Sequence, residues 1–135
     1  MATYNKFQGF VGYLGLATVN LNTDTIRVYL SNATPDAALD DVKGDLATIT
    51  EQYGYAAADI TNLYAEAVGV GTMTATDVVW TASGGSFGPG RYAAIYDDTH
   101  ASDILIAWWD YGSSVTVNTG ETFTVDFGAS VFTLT

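Results

Sequence analysis

Within seven residues, Asp97, Asp98, Thr99, His100 and Asp103 gather side chains that can ligate a metal or carry a proton, and His100 is the chain's one histidine. Calcium takes about six to eight oxygens, and its common loop spaces carboxylates as D-x-D-x-D-G with a glutamate at the twelfth position. Here the spacing differs and the glycine of the sharp turn is missing. Zinc would want a second histidine or a cysteine, and the chain has no cysteine. The expectation is no metal site and a solvated loop in which Asp97 or Asp98 accepts a hydrogen bond from its own backbone.

Catalysis fares no better. His100 would have to serve as base for a serine, yet Ser102 and Asp103 stand too close in sequence to converge on it as a triad. No G-x-S-x-G elbow is present either. Glycosidic chemistry needs two well-placed carboxylates, and three glutamates in so short a chain make a weak case. GGSFGPGR has the glycines of a phosphate loop but lacks the Gly-Lys-Ser/Thr ending. It also lies between two predicted strands, where a helix N-terminus is required. No catalytic or cofactor-binding residue is expected.

The aromatic cluster Trp108, Trp109 and Tyr111 is chemistry of another kind. Adjacent residues of a strand face opposite sides. One tryptophan can then fill a core while the other reaches the surface, for a sugar or for a protein interface, where aromatic residues are enriched. Alternatively each is covered by its own layer of a sandwich.

The background charge narrows the partners. Fifteen acids face four cations, Lys6, Arg27, Lys43 and Arg91, giving a net charge of −11. Gripping nucleic acid requires clustered Lys or Arg, and these four are scattered. No nucleic acid and no anionic membrane is expected as partner; a basic protein surface is. The least charged segment, 7–23, is interrupted by Gly9, Gly12 and Gly15, whereas a span needs ~20 mostly apolar residues. Lys6 and the following FVGYLGLA imitate a secretion signal without a cleavage site after it, so none is expected. The length of 135 residues points to one domain, and the 48% apolar content is enough for a core without disulfides.

What elements must position these residues? Phe7, Phe10, Val11 and Leu14 follow a helical stripe weakened by the three glycines. Residues 1–20 are therefore expected to form a short helix or an arm contacting neighbouring subunits, with Tyr4, Phe7 and Phe10 as its contact residues. Residues 25–30 read as a strand and 31–36 as a loop. Residues 36–75 are hard to read: Ala38, Val42 and Leu46 have helical spacing, but Gly44, Ile49 and Thr50 oppose it. Loops with one or two short elements are expected there. Strands are predicted at 76–82, 91–96, 104–111, 122–127 and the C-terminal VFTLT. Between them Pro89-Gly90 reads as a type II turn and GSS (112–114) as a reversal. The sum is a mainly β chain, an antiparallel sandwich or open barrel of about six to eight strands.

The stretch FGPGRYAAIYDDTHASDILIAWWDYGSSVTVNTGETFTVDF, with KFQGF and NLNTDTIRVYLSNATP before it, resembles a family of small tailed-bacteriophage virion proteins. The shared pattern is a Gly-Gly-Ser loop, an Arg-Tyr-Ala strand, a Tyr-x-Asp turn, a Trp-Trp-Asp-Tyr-Gly strand end and a Gly-Glu-x-Phe-Thr-Val-Asp-Phe strand. The resemblance implies a capsid decoration, or cement, protein. Such a protein would be made in the host cytoplasm and held on the capsid surface by contacts with the major capsid protein and with copies of itself, as a homotrimer. It carries over no catalytic residue. A tail or head–tail component, or a carbohydrate-binding sandwich using Trp108 or Trp109, are the alternatives.

Overall fold

Ile104, Leu105, Ile106 and Ala107 are all fully buried. An unbroken apolar run of this kind, rather than an alternating one, belongs to a strand covered on both faces. That strand is β8 (Ile104–Val117), and it pairs antiparallel with β7 (Phe87–Asp97). In the computed structural model, which describes residues 2–135, these two form the middle of a five-stranded sheet. Its other members are β1 (Asn5–Lys6), β2 (Ile26–Ser31) and β3 (Ala58–Asp59), in the order β1-β8-β7-β2-β3.

Two smaller antiparallel sheets complete the molecule. One contains β4 (Leu63–Ala67), β5 (Val70–Thr74) and β10 (Phe132–Leu134), with β5 central; the other pairs β6 (Val78–Thr81) with β9 (Thr122–Val125). The one α-helix among the described residues is α1 (Gln8–Gly15). The fold is thus mainly β and sandwich-like, as the periodicity predicts, with ten strands among the described residues rather than six to eight.

The five-stranded sheet has a core on each side. On the larger side Val28, Leu30, Ile95, Ile104 and Ile106 pack with Phe10, Met73, Trp80, Phe123, Val125 and Phe127. On the smaller side Phe7, Tyr29, Leu46, Ala94, Tyr96 and Leu105 cluster, flanked by Ala57 and Trp108. Each fully buried Leu or Ile contributes about 1.5–3 kcal/mol relative to exposure. The chain running through the 3-10 turn Lys43–Asp45 belongs to the smaller side. It is pinned by Leu105 N–H donating to Asp41 O (3.0 Å), by Lys43 N–H donating to Asp103 O (2.8 Å) and by a bridge between Val42 and Ile104. Tyr29 Oη donates to Leu46 O at 2.8 Å, tying sheet to cover. The expected helical spacing of Ala38, Val42 and Leu46 is therefore not used; Leu46 is a core residue delivered by a loop.

Two expected reversals are not reversals. Gly90 keeps an ordinary negative φ and pairs with Val115, so Pro89-Gly90 makes no type II turn. The positive φ falls on Gly88 (+112°), where a Cβ would come within 2.7 Å of Val115 O. Only glycine lets β8 lie that close. Likewise GSS does not end β8. Two steps along β7, from Gly90 to Tyr92, are matched by five along β8, from Val115 to Asp110, so residues 111–114 bulge out of an otherwise continuing ladder.

At the N-terminus the expected short helix forms, without a single apolar face. The helix is present, but the stripe splits: Phe10 turns to the larger core, Phe7 to the smaller one, and Val11 is 54% exposed. Phe7 N–H donates to Ile106 O at 3.1 Å, and β1 pairs with β8 through Asn5–Trp108 and Lys6–Ala107. Residues 4–10 are packed into the body rather than held out as an arm. No helix among the described residues is long and apolar enough to cross a membrane.

Candidate functional site

The bulge at 111–114 borders an aromatic cleft. It leaves Tyr111 60% exposed beside Trp109, and opposite them runs β9. Together Trp109, Tyr111, Phe123, Thr124 and Asp126 line a cleft of about 300 Å³, with Ala2 at its margin. Ala93, the cross-strand partner of Trp109, also lines it, and its short side chain leaves the space open.

The rings are held by one another. Trp109 meets Tyr4 edge-on at 5.8 Å and Phe127 edge-on at 5.6 Å, while Tyr111 tilts against Phe123 at 5.3 Å. Such edge and tilted contacts stabilise ring orientation beyond simple burial. The alternation of β9 continues past its end: Phe123, Val125 and Phe127 are buried, whereas Thr124 and Asp126 are exposed. Asp126 Oδ1 accepts from Gly128 N–H at 2.7 Å, and no described cation pairs with it. Its role escapes sequence reading because β8 and β9 are neighbours here without sharing a ladder.

Of the residues singled out by sequence, Trp109 and Tyr111 come together in the cleft. Trp108 points to the opposite face and lies half-buried on Phe7, ring centroids 4.6 Å apart. The two tryptophans therefore take opposite sides, as strand geometry requires. Phe7 (0% exposed) and Phe10 (2%) are core, with no surface to offer a neighbour. Tyr4 is half-buried behind Trp109, packs on Phe132 at 5.7 Å, and burial pushes its hydroxyl up to about 12.

The acidic loop is a turn braced by its own backbone and by the neighbouring strand, through Thr25 N–H donating to Thr99 Oγ1 and Arg27 beside Asp98. Thr99 N–H donates to Asp97 Oδ1 (2.9 Å), and Ser102 N–H donates to His100 Nδ1 (3.1 Å). Among the described residues no three His, Asp or Glu side chains converge as a metal would need. Asp97 is fully buried, and its Oδ2 meets no donor. Burial first, and then the neighbouring Asp24 carboxyl, push Asp97 up to about 7. An oxygen without a donor is best satisfied by holding the proton itself and donating it to Asp24.

Arg91 and Asp110 face each other across β7 and β8 in a two-point contact, Nε to Oδ1 at 2.9 Å and Nη2 to Oδ2 at 3.1 Å. The guanidinium holds the Asp110 carboxyl below its ordinary value, helped by Gly112 N–H. This brace sits at the root of the bulge. No family model, curated protein or solved structure matches the chain.

Proposed function

We propose that this chain is a structural protein of a tailed-bacteriophage virion, a capsid decoration protein that stabilises the head shell through contacts with the major capsid protein and with its own copies. The observation that carries the reading is where the family-like motif falls. FGPGRYAAIYD is β7, and ILIAWWDYGSSVTV is β8, so the most distinctive residues build the centre of the sheet and the rim of an aromatic cleft. They are spent on a rigid body and one contact surface, which is what a cement protein requires. The acid excess, net −11, suits a basic patch on a shell protein.

Gold-labelled antibody against this protein, applied to intact virions of the phage that encodes it, tests the reading by electron microscopy. Label spread over the head is the expected result. Label confined to the tail or neck would replace the decoration role by that of a tail or head–tail component, and unlabelled, opened and intact particles would remove the virion role altogether.

A further inference from the structure

The protein shows what it does with its own cations. Arg91 is bound by Asp110 and lies 5.4 Å from the Tyr92 ring. Lys43 sits over the Tyr96 ring at 4.9 Å and the Tyr29 ring at 5.4 Å. Arg27 lies 3.0 Å from Asp98, although its Nε–H is not aimed well enough for a hydrogen bond. Arg91 thus has a ring and a carboxylate together, Lys43 has rings, and Arg27 has a carboxylate.

The cleft offers the same kinds of group that surround Arg91, and no cation lines it among the described residues. Trp109, Tyr111 and Phe123 supply rings, and among the described residues Asp126 is the one charged residue lining it. Another hollow of comparable size, about 280 Å³, is lined by Leu14, Val19, Leu21, Tyr64 and Leu134 among others and has no charged residue among the described ones. Ring faces attract Arg and Lys cations, most strongly those of tryptophan, and a carboxylate adds a charge-assisted hydrogen bond. The long-range field has the same sign, with fifteen acids against four cations.

We propose that the cleft receives an arginine or lysine side chain from a basic surface segment of a partner protein, seated against Trp109 and Tyr111 and paired with Asp126. This rests on the reading of the chain as a protein-docking virion component, and it names the chemistry of the docking.

The test is a nuclear magnetic resonance titration of the isolated chain, following the Trp109 indole N–H and the Thr124 to Asp126 amides. Three probes are compared: Nα-acetyl-arginine methylamide, its citrulline counterpart, which has the same shape without the charge, and methyl glucoside. Saturable shifts with the arginine probe are expected, with the citrulline probe weaker by about 5-fold or more. Asp126→Asn keeps the acceptor for Gly128 and should reduce arginine binding to the citrulline level. Trp109→Leu, read at the Asp126 amide, should weaken it by a similar factor. Equal binding of arginine and citrulline overturns the proposal, as does binding of the glucoside alone, which would assign the cleft to sugar. Virion labelling is a separate readout: arginine binding with a labelled tail keeps the cleft inference and removes the shell, whereas a labelled head with a silent cleft does the reverse.

Discussion

The two faces of the central sheet are built from alternate residues of the same strands, yet they end differently. Beside Trp108 the small core is closed: Phe7 lies on the indole, and the loop through Leu46 is roped to the sheet by backbone hydrogen bonds. Beside Trp109 the larger core runs out before the sheet does, and the remaining space is the cleft. The side with more apolar mass is the one left open. Core size does not decide where a surface is available; what decides is whether a loop is tied across the last rings.

The sharpest way to break this comparison is to remove one side chain from each face at neighbouring positions. Leu105→Ala on the small side and Ile106→Ala on the large side, both fully buried, should each lose about 2–5 kcal/mol in urea unfolding. A loss well below that for Leu105→Ala, at an unchanged urea dependence, would mean that the small side is a loose cover and not a core. Next comes the rope itself. Tyr29→Phe removes the donor to the buried Leu46 carbonyl and should cost about 1–3 kcal/mol, with faster amide exchange between Lys43 and Leu46. Exchange unchanged in that segment would show that the cover is held by its backbone bonds alone.

A pH-dependent effect concerns Asp97 at the end of β7. Its folded value, about 7, lies above the ordinary carboxylate value of 3.8. Between those two values the folded chain holds a proton that the unfolded chain has released. Its contribution to stability is therefore full below about pH 4, is lost as pH rises, and is gone above about pH 7. Asp97→Asn keeps the acceptor for Thr99 and replaces the shared proton by an amide donor toward Asp24. The native chain should melt lower at the upper end of that window, and the variant should show a smaller fall. Parallel melting curves for the two would sink the shared-proton account.

Legibility in the sequence followed periodicity. β6, β9 and the middles of β7 and β8 were readable because Val, Ile and aromatic residues dominate them or alternate cleanly. The β4–β5 hairpin was not. LYAEA is mostly exposed in the fold and carries little strand preference, and the turn that joins it to VGTMT uses Val68 at φ +53° before Gly69. The usual Asn-Gly or Asp-Gly signal of such a turn is missing. The extra lengths of β7 and β8 were hidden for a different reason. Pro89 and Gly112–Ser114 are residues that stop strands in isolation, and here a partner strand carries the ladder past them. Of the cleft, Trp109 and Tyr111 were visible as aromatic types, while Phe123 to Asp126 belong to it only through tertiary placement. Phe7 and Phe10 were misplaced because a helical stripe says which residues are buried together only when one core is on offer, and this helix start stands between two.

The bulge at Tyr111–Ser114 makes β8 extensible. A ladder that resumes at Val115 after skipping four residues is indifferent to how many it skips. Added residues would extrude into solvent while Asp110 keeps Tyr92 and Val115 keeps Gly90. Gly112, Ser113 and Ser114 are exposed; Gly112 N–H donates to Asp110 Oδ1 at the root of the bulge, and Ser114 Oγ donates to Asn32 Oδ1. Chains of this architecture can thus diverge in length at this point without re-registering the sheet, and a peptide grafted there would be displayed at the mouth of the cleft.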